Sequence, residues 1–370
     1  MKLLVASDTH LSDRIWKHRP IEGDSYYSWT QIVDLAISQD VDTVVLAGDI
    51  LDKQTNTSNA IQKLTSGLRE LEYNEIEIYF NQGQHEYQEV PWMSLNSSAE
   101  WFENSVLKTS NNWNIAGSDF KNNEKLMEFL QSPKALEADI LVCHQVWLEF
   151  MGELCKPQGS FSDVPENVRY LITGDYHESI CQKFGNLTVI SPGSTHLRSI
   201  SEPEDKYAYS MVLPDAGPKA KITQLPLRTR RVINIKFEQN TEFKTVAGQV
   251  GAYLEQAEEY AKEFDLPECI AKPLMRLTFP QTAVELSNQV TKLVADRAHL
   301  FYKQVKFISP ESLEPNLNQH LDASERVGML NCLDTHLNQK NHPATHALAT
   351  RMLQAPEPAQ ALAQWVKEQM

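Results

Sequence analysis

The stretch that decides the fold is "VDTVVLAGDILD", residues 41–52, in which an apolar β-type run stops at a Gly-Asp turn. Such a turn is common after a buried strand and indicates little when it occurs alone. Four other apolar runs end in the same kinds of polar residue. They are "KLLVAS" before Asp8 and His10, "EIEIYFNQG" before Gln84 and His85, "ADILVC" before His144, and "VRYLIT" before Asp175 and His177. Five such runs in one chain make coincidence a poor account of the pattern.

Helical patterns separate the early runs. One is "SYYSWTQIVDLAISQD", and the other, "NTSNAIQKLTSGLRELE", opens with candidate helix caps. The second pattern places Ile61, Leu64, Leu68 and Leu71 on one face. Strands that alternate with helices predict an α/β domain, in which functional side chains gather at the carboxyl ends of the strands.

The side chains at these strand ends are metal ligands in type. Carboxylates and imidazoles suit divalent ions such as Mn²⁺, and two ions about 3.5 to 4 Å apart can activate water and stabilise both oxygens of a phosphoryl displacement. Asp8 and His10 are two residues apart, so an extended segment would direct both side chains to the same side. Asp49, in its tight turn, is placed to bridge two ions.

Composition and charge bound the substrate. The chain has 370 residues, of which 41% are hydrophobic and 22% charged, an ordinary composition for a folded protein. Residues 1–227 contain 18 Lys and Arg against 32 Asp and Glu, so they carry 14 of the 15 net negative charges. Taken alone, this acidity argues against a nucleic-acid substrate unless metal ions or a basic patch offset the repulsion.

Several classes of protein are disfavoured. The apolar run at the N-terminus meets Asp8 too early for a signal peptide, and no run approaches a membrane span. The cysteines are odd in number and scattered, and no two have CxxC spacing, which indicates neither a disulfide framework nor a thiolate zinc site. They are Cys143, Cys155, Cys181, Cys269 and Cys332. We therefore expect a cytoplasmic protein without a membrane segment.

The motifs resemble those of a known family. The order "DTH", "GDILD", "GQHE", "CHQ" and "GDYH" is similar to the motif series of the calcineurin-like metallophosphoesterases. Within that superfamily the chain resembles the SbcD-type DNA nucleases, which are partners of the SbcC ATPase and relatives of the meiotic-recombination nuclease. The segment "SPGSTHLRSISEPEDKYAYSMV" looks like that family's proline-glycine-serine segment with its downstream acidic residues. The likeness covers residues 1 to about 225 well and the rest by pattern only.

The resemblance implies roles for individual residues. Asp8, His10, Asp49 and His177 would bind the first metal, and the second would be held by Asp49, His144, Gln84 and Asp175. His85 matches the histidine that contacts the scissile phosphate and assists the leaving oxygen. Two positions depart from the family pattern, because Gln84 replaces the usual Asn and Asp175 replaces the usual His. Both changes fall on the second metal.

The resemblance also implies an architecture. We expect an α/β fold of four layers, α/β/β/α, for the metallophosphoesterase domain at residues 1–227. A smaller α+β capping domain at 228–308 would bind DNA, with Arg228, Arg230 and Arg231 holding backbone phosphates, although so short a basic cluster is usually a solvated linker. A helical C-terminal tail at 309–370 would bind the ATPase. The helix at 56–72 and "WMSLNSSAEWF", with Trp92, Leu95 and Trp101, would form a homodimer contact.

These observations predict a two-metal DNA nuclease subunit, an exonuclease or endonuclease in DNA repair and recombination, that uses Mn²⁺ or, as a second possibility, Mg²⁺. One alternative is another phosphoesterase of the superfamily, acting on a small phosphodiester or a phosphoprotein. A second alternative treats Gln84 and Asp175 as signs of decay, which would leave a structural subunit of the ATPase complex. The retention of His85, His144 and His177 argues against decay.

Overall fold

The computed structural model describes residues 1–13, 21–152, 156–215, 217, 219–237, 242–280, 284–294 and 296–305. Residues 1–145 and 162–305 form one unit, and residues 146–161 belong to a second unit. Residues 309–370, where the helical tail was predicted, lie outside the described residues. Among the described helices, none is long and apolar enough to cross a lipid bilayer.

The first sheet contains three of the five predicted strands. Its six strands lie in the order β12, β11, β1, β2, β3, β4. β1 to β4 are parallel, and β11 and β12 extend the sheet in antiparallel fashion. The strands are β1 (Lys2–Ala6), β2 (Thr43–Ala47), β3 (Glu77–Asn81), β4 (Glu100–Trp101), β11 (Lys206–Val212) and β12 (Lys221–Leu227). The connecting helices are α1 (Asp24–Ser38), α2 (Ser58–Tyr73) and the short α3 (Trp92–Asn96).

The second sheet contains the other two predicted strands. Its order is β5, β6, β7, β8, β10, β9, with parallel pairing from β6 to β10 and an antiparallel strand at each edge. The strands are β5 (Val106–Lys108), β6 (Asn114–Ser118), β7 (Ile140–His144), β8 (Tyr170–Gly174), β9 (Ile180–Phe184) and β10 (Leu187–Ser191). Two helices follow β6, α4 (Asn123–Leu130) and α5 (Pro133–Leu136).

Strand alternation divides the core of this domain into two parts. In β1, Leu4 and Ala6 pack with the buried faces of α1 and α2, whereas Leu3 and Val5 pack with residues of the second sheet such as Val142. A strand that is buried on both faces is apolar at every position, which explains the continuous runs in the sequence. With buried residues of α4 and α5 beyond the second sheet, the predicted α/β/β/α order is confirmed.

Helix α2 shows why the sequence pattern was readable. Its N-cap Thr57 accepts a hydrogen bond from the Ala60 amide at 3.2 Å, as expected of a capping hydroxyl. Leu64, Leu68 and Leu71 are buried on one face, and Ile61 packs against the same core from its edge. The predicted apolar stripe therefore faces the first sheet.

A third, smaller sheet follows the two large ones. Its strands β13 (Val232–Lys236), β14 (Leu274–Pro280) and β15 (His299–Val305) are all parallel. They alternate with α7 (Phe243–Glu263), α8 (Glu268–Ala271) and α9 (Val284–Val294). The capping region contains both helices and strands, as predicted. Because the helices alternate with parallel strands, the region is an α/β unit and not an α+β unit with separate helical and strand segments. The three-domain division by residue number stays a prediction.

The small second unit contributes one helical turn. Helix α6 (Leu148–Met151) follows Trp147, which is buried and lies against Phe161 with ring centroids 5.6 Å apart. The Leu148 amide donates to the Gly159 carbonyl at 2.9 Å, so the two ends of this segment are held together.

Candidate metal centre

The loops after β1 and β2 are joined by backbone hydrogen bonds. The Asp8 amide donates to the Gly48 carbonyl at 3.0 Å, and the His10 amide donates to the Asp49 carbonyl at 2.9 Å. Asp8, His10 and Asp49 all have positive φ, at 51°, 39° and 49°. The expectation that Asp8 and His10 converge because they lie in an extended segment is therefore wrong. They converge because the chain takes left-handed turns, which are uncommon for residues other than glycine and mark functional sites.

Four side chains make a buried floor: Asp8, His10, Asp49 and His144. One oxygen of Asp49, Oδ2, lies 3.5 Å from His10 Nε2 and 3.4 Å from His144 Nε2. Asp8 Oδ1 lies 3.8 Å from His10 Nε2 and 4.0 Å from His144 Nε2. Asp49 therefore stands between two imidazoles, the position that a bridging ligand would take.

Hydrogen bonds at Nδ1 orient three of the imidazoles. His144 donates from Nδ1 to the Ala47 carbonyl at 2.8 Å, and His85 donates from Nδ1 to the Asp52 carbonyl at 3.0 Å. His177 Nδ1 lies 3.1 Å from Glu202 Oε1, and its Nε2 lies 3.7 Å from Asp8 Oδ1. A carbonyl or carboxylate at Nδ1 fixes the proton there and leaves Nε2 as the free ligand atom.

Glycines allow the floor to close. A Cβ at Gly48 or Gly174 would come within 2.4 Å of His144 Nδ1, and a Cβ at Gly83 would come within 2.0 Å of Asp49 Oδ1. Because real Cβ atoms do not approach so closely, these positions require glycine. The glycines of the "GD" and "GQ" dipeptides therefore have a packing role. Each leaves room for the side chain of a candidate ligand on a neighbouring loop or strand, His144 or Asp49.

Burial and charge act against each other at the floor. Burial raises the pKa of Asp8 to about 6. Burial would also raise the pKa of Asp49, but the charge of His144 lowers it overall. Burial would lower the pKa of His144, but the carboxylate of Asp49 raises it well above the usual range. Burial, followed by the charge of Arg198, lowers the pKa of His10. Carboxylates and imidazoles thus depend on one another for charge compensation.

The donor set fits divalent metal ions. Among the described residues, three groups have ligand atoms within 4.8 Å of one another: Asp8, His10 and His177; His10, Asp52 and His85; and Asp8, Asp49 and His144. His144 Nε2 is buried and has no hydrogen-bond partner, which is a costly state for a polar atom unless something binds it. Mixed carboxylate and imidazole ligands suit Mn²⁺ and related ions.

The two departures from the family pattern contact each other. Asp175 has φ of 76°, and its Oδ1 lies 3.8 Å from His144 Nε2, so it is within reach of the cluster. Its amide donates to Asp8 Oδ1 at 3.2 Å. Gln84 is exposed, and its Nε2 donates to Asp175 Oδ1. The long side chain of Gln84 therefore contacts the carboxylate of Asp175. From the sequence, these two departures from the family pattern were considered separately.

His85 lies at the edge of the cluster with 36% of its side chain exposed. Its amide donates to Asp49 Oδ1 at 3.0 Å, and its Nε2 lies 3.8 Å from Asp49 Oδ2. The neighbouring Glu86, which sequence reasoning did not single out, is buried and accepts from the amides of Leu51 at 2.6 Å and Gly83 at 3.0 Å. Burial and then the charge of Asp49 raise the pKa of Glu86 to about 8. Glu86 therefore ties the loop that carries His85 to the loop after β2.

Two further residues were missed by sequence reasoning although they lie in a quoted segment. Glu202 Oε1 is hydrogen-bonded to His177 Nδ1. Its other oxygen, Oε2, accepts from Lys206 Nζ at 2.9 Å and from Ser194 Oγ at 3.1 Å. Arg198 Nη1 lies 2.9 Å from His10 Nε2, and its Nη2 donates to Asp52 Oδ1 at 2.7 Å. The downstream acidic residues were the available signal for Glu202. No local signal marked Arg198.

The arginine cluster does not act as one patch. Arg230 is buried and donates from Nε and Nη2 to the carboxylate of Asp24 at 2.8 and 2.9 Å. Its guanidinium also donates to the backbone carbonyls of Cys269 and Lys272. Its guanidinium is fully used in joining the capping region to α1, so the prediction that Arg230 binds DNA is wrong. Arg228 lies over the Phe264 ring at 3.7 Å, and Arg231 is partly exposed and pairs with Glu204 at 2.9 Å.

Comparisons with known proteins agree with these motifs. The family model described as calcineurin-like phosphoesterase matches residues 1–185. A DNA double-strand break repair protein Mre11 from Methanosarcina mazei is 26% identical over 280 residues, which are 70% of this chain and 44% of the relative. A protein of the same name from Methanococcus maripaludis is 25% identical, over 55% of this chain and 60% of its own length. The chain thus spans about half the length of these curated relatives.

A solved structure, a dimetal phosphatase from Danio rerio, aligns with 57% of this chain and 91% of its own at 11% identity and a TM-score of 0.39. The family is shown by the family model, which matches half of the chain and covers the candidate ligands from Asp8 to His177. The protein belongs to the calcineurin-like phosphoesterase family.

Proposed function

We propose that this protein is a two-metal DNA nuclease subunit that hydrolyses phosphodiester bonds during end processing, recombination and repair. The observation that carries the proposal is the clustering of Asp8, His10, Asp49, His144 and His177, with His85 at the edge, at the carboxyl ends of strands. The Mre11 relatives support DNA as the substrate. We propose Mn²⁺ as the usual ion, with Mg²⁺ as the second choice.

The chain's own residues would divide the chemistry between them. When bound, two divalent ions would lower the pKa of a water molecule and offset charge on the phosphate. The first ion would be held by Asp8, His10, Asp49 and His177. The second would be held by Asp49, His144, Asp175 and Gln84.

His85 is suited to act as the acid. Its Nδ1 proton is committed to the Asp52 carbonyl, so a proton for the leaving oxygen would come from Nε2 of the doubly protonated ring. Its partial exposure leaves that atom accessible to a substrate, whereas His10 and His144 are buried. Proton transfer at His85 would therefore require no movement of the buried ligands.

Binding of DNA must overcome the acidity of the first 227 residues. Metal ions, when bound, would offset charge at the centre, and Arg228 and Arg231 remain candidates for phosphate contacts outside it. Arg231 is the better candidate, because 44% of its side chain is exposed and an ion pair on the surface is weak enough to exchange for phosphate. Arg230 has no part in the proposal.

We propose two protein partners. The tail at 309–370 would bind an SbcC-like coiled-coil ATPase, in keeping with the expected role of this family. A second copy of the chain would contact α2 and α3, where Leu95 is 59% exposed beside the half-buried Trp92. A strictly monomeric mass at micromolar concentration by light scattering would contradict the dimer.

A cytoplasmic location remains part of the proposal.

Cleavage assays test the nuclease proposal. We expect the pure protein with Mn²⁺ to cut labelled linear DNA and to need the ATPase for its full rate. Labelled circular DNA in the same assay separates exonuclease from endonuclease activity. If only small phosphate esters are cleaved, the alternative of a small-substrate phosphoesterase is correct. If the ATPase complex assembles but neither DNA nor small esters are cleaved, the protein is a structural subunit. That outcome would support the second alternative, in which Gln84 and Asp175 are signs of a decayed site.

A further inference from the structure

Arg198 brings a guanidinium into a cluster otherwise made of carboxylates and imidazoles. Its side chain is 22% exposed, whereas His10, which it contacts, is buried. The backbone is held as well, because the Arg198 amide donates to Glu202 Oε2 at 3.3 Å. The same carboxylate orients His177 through its other oxygen. Arg198 is therefore anchored by the group that fixes one of the candidate ligands.

The two ends of the guanidinium have different partners. Nη2 donates to Asp52 Oδ1 at 2.7 Å, an ion pair that holds the side chain in place. Nη1 lies 2.9 Å from His10 Nε2. A guanidinium can only donate, so His10 Nε2 is the acceptor and its lone pair faces Arg198. That lone pair is also the one that a metal ion would require from His10.

The lone pair of His10 can serve one partner at a time. A cation bound by His10, Asp8 and His177 would therefore release Nη1 of Arg198, while Nη2 would remain on Asp52. The released N–H donor lies at the edge of the ligand cluster, where a phosphate ester would approach. A guanidinium fork matches the oxygens of a phosphate in geometry and charge, and it supplies charge stabilisation without transferring a proton.

We propose that Arg198 is a phosphate-binding residue, which donates through Nη1 to an oxygen of the substrate's phosphodiester while Asp52 holds Nη2. The inference rests on the proposed function only in requiring a phosphate ester as the substrate. It makes Arg198 a contact to the substrate and not a support for the metal ligands. A purely structural role in tying residues 193–206 to Asp52 is the competing explanation.

Two binding measurements separate these explanations without relying on activity. The first is calorimetric titration of Mn²⁺ into the metal-free protein, and the second is titration of inorganic phosphate into the Mn²⁺-loaded protein. The variants are Arg198→Gln, Arg198→Lys and, as a matched control, Arg169→Gln. Arg169 is also a partly exposed arginine paired with an aspartate, but its partner is Asp139 and it lies over Trp113.

We expect Arg198→Gln to bind phosphate at least about 10-fold more weakly than wild type, since a charge-assisted hydrogen bond is lost. Its Mn²⁺ affinity should be equal or higher, because Arg198 competes for His10 Nε2. Arg198→Lys keeps the charge but loses the fork, so its phosphate affinity should be intermediate, and Arg169→Gln should match wild type in both titrations.

Unchanged phosphate affinity in a folded Arg198→Gln or Arg198→Lys variant would overturn the proposal. A parallel fall in Mn²⁺ affinity would overturn it too, by making Arg198 a support of the ligand cluster. Assays on DNA keep this inference apart from the proposed nuclease function. If the wild type fails to cut DNA while phosphate binding still depends on Arg198, the nuclease proposal fails and this inference stands.

Discussion

The candidate metal centre has a buried floor, made of Asp8, His10, Asp49 and His144, and an open rim, made of Gln84, His85, Asp175 and His177. The floor residues are almost completely buried and sit on tight turns or at a strand end, with glycines packed against them. The rim residues are partly or fully exposed and lie on loops. Both departures from the family pattern are on the rim. Solvent can satisfy an altered rim side chain, whereas an altered floor side chain would meet packed glycines and buried imidazoles.

The largest expected effect is at the centre of the floor. Asp49→Asn removes the charge of the one oxygen that stands within 3.5 Å of both His10 Nε2 and His144 Nε2. We expect it to abolish the retention of divalent ions and cleavage together, while the protein remains folded. Metal content after dialysis, cleavage rate and thermal melting test this. Asp34→Asn, at an exposed position of α1, should behave as wild type in all three. Retention of both ions in Asp49→Asn would remove the distinction between floor and rim.

The next effect is on the rim and should concern chemistry alone. His85→Ala should slow cleavage by about 10² or more, in the range of general acid catalysis, while metal content and DNA affinity stay near wild type. His177→Ala, also on the rim, should instead lose an ion. Steady-state kinetics with metal analysis compare the two variants. Loss of bound metal in His85→Ala would show that His85 is a ligand and not the acid.

A smaller effect is expected where a candidate rim ligand depends on the half-buried Glu202. Glu202→Gln weakens the hydrogen bond that orients His177, and groups of this kind typically change metal affinity by about 10- to 100-fold. Calorimetric Mn²⁺ titration should show the loss at one of two sites. Glu204→Gln is the matched control, since Glu204 pairs with Arg231 away from the cluster. Equal affinities in the two variants would mean that His177 needs no orienting partner.

The smallest effect concerns the pair of departures on the rim. Asp175→His should weaken Mg²⁺-supported cleavage more than Mn²⁺-supported cleavage, because a carboxylate is the harder ligand. Sequence alone predicts that Gln84→Asn is nearly neutral, but its hydrogen bond to Asp175 now predicts a loss of a few-fold, roughly 3- to 10-fold. The double variant, which restores the family pattern, should recover most of the loss. Strictly additive effects in metal titrations of all four proteins would show that the two positions are independent.

The sequence alone was enough to predict the α/β layers and to mark the carboxylates and imidazoles that cluster at the strand ends. Strands that are buried on both faces have continuous apolar runs. The residues that follow these runs are carboxylates and imidazoles, which are common metal ligands. Helix boundaries were close for the same reason, since the cap at Thr57 and the stripe on α2 are local features. A strand, a turn and a helix cap each depend on neighbours within a few residues, so one chain suffices to predict them.

The contacts between distant residues were decided only by the tertiary structure. Arg198 and His10 are 188 residues apart, Gln84 and Asp175 are 91 apart, and Arg230 and Asp24 are 206 apart. No local pattern distinguishes a buried arginine in an ion pair from one on a solvated linker, which is why Arg230 was assigned to DNA. The left-handed turns at Asp8, His10 and Asp49 were also invisible in the sequence, because packing of the two loops against each other stabilises backbone conformations that these residues rarely adopt alone.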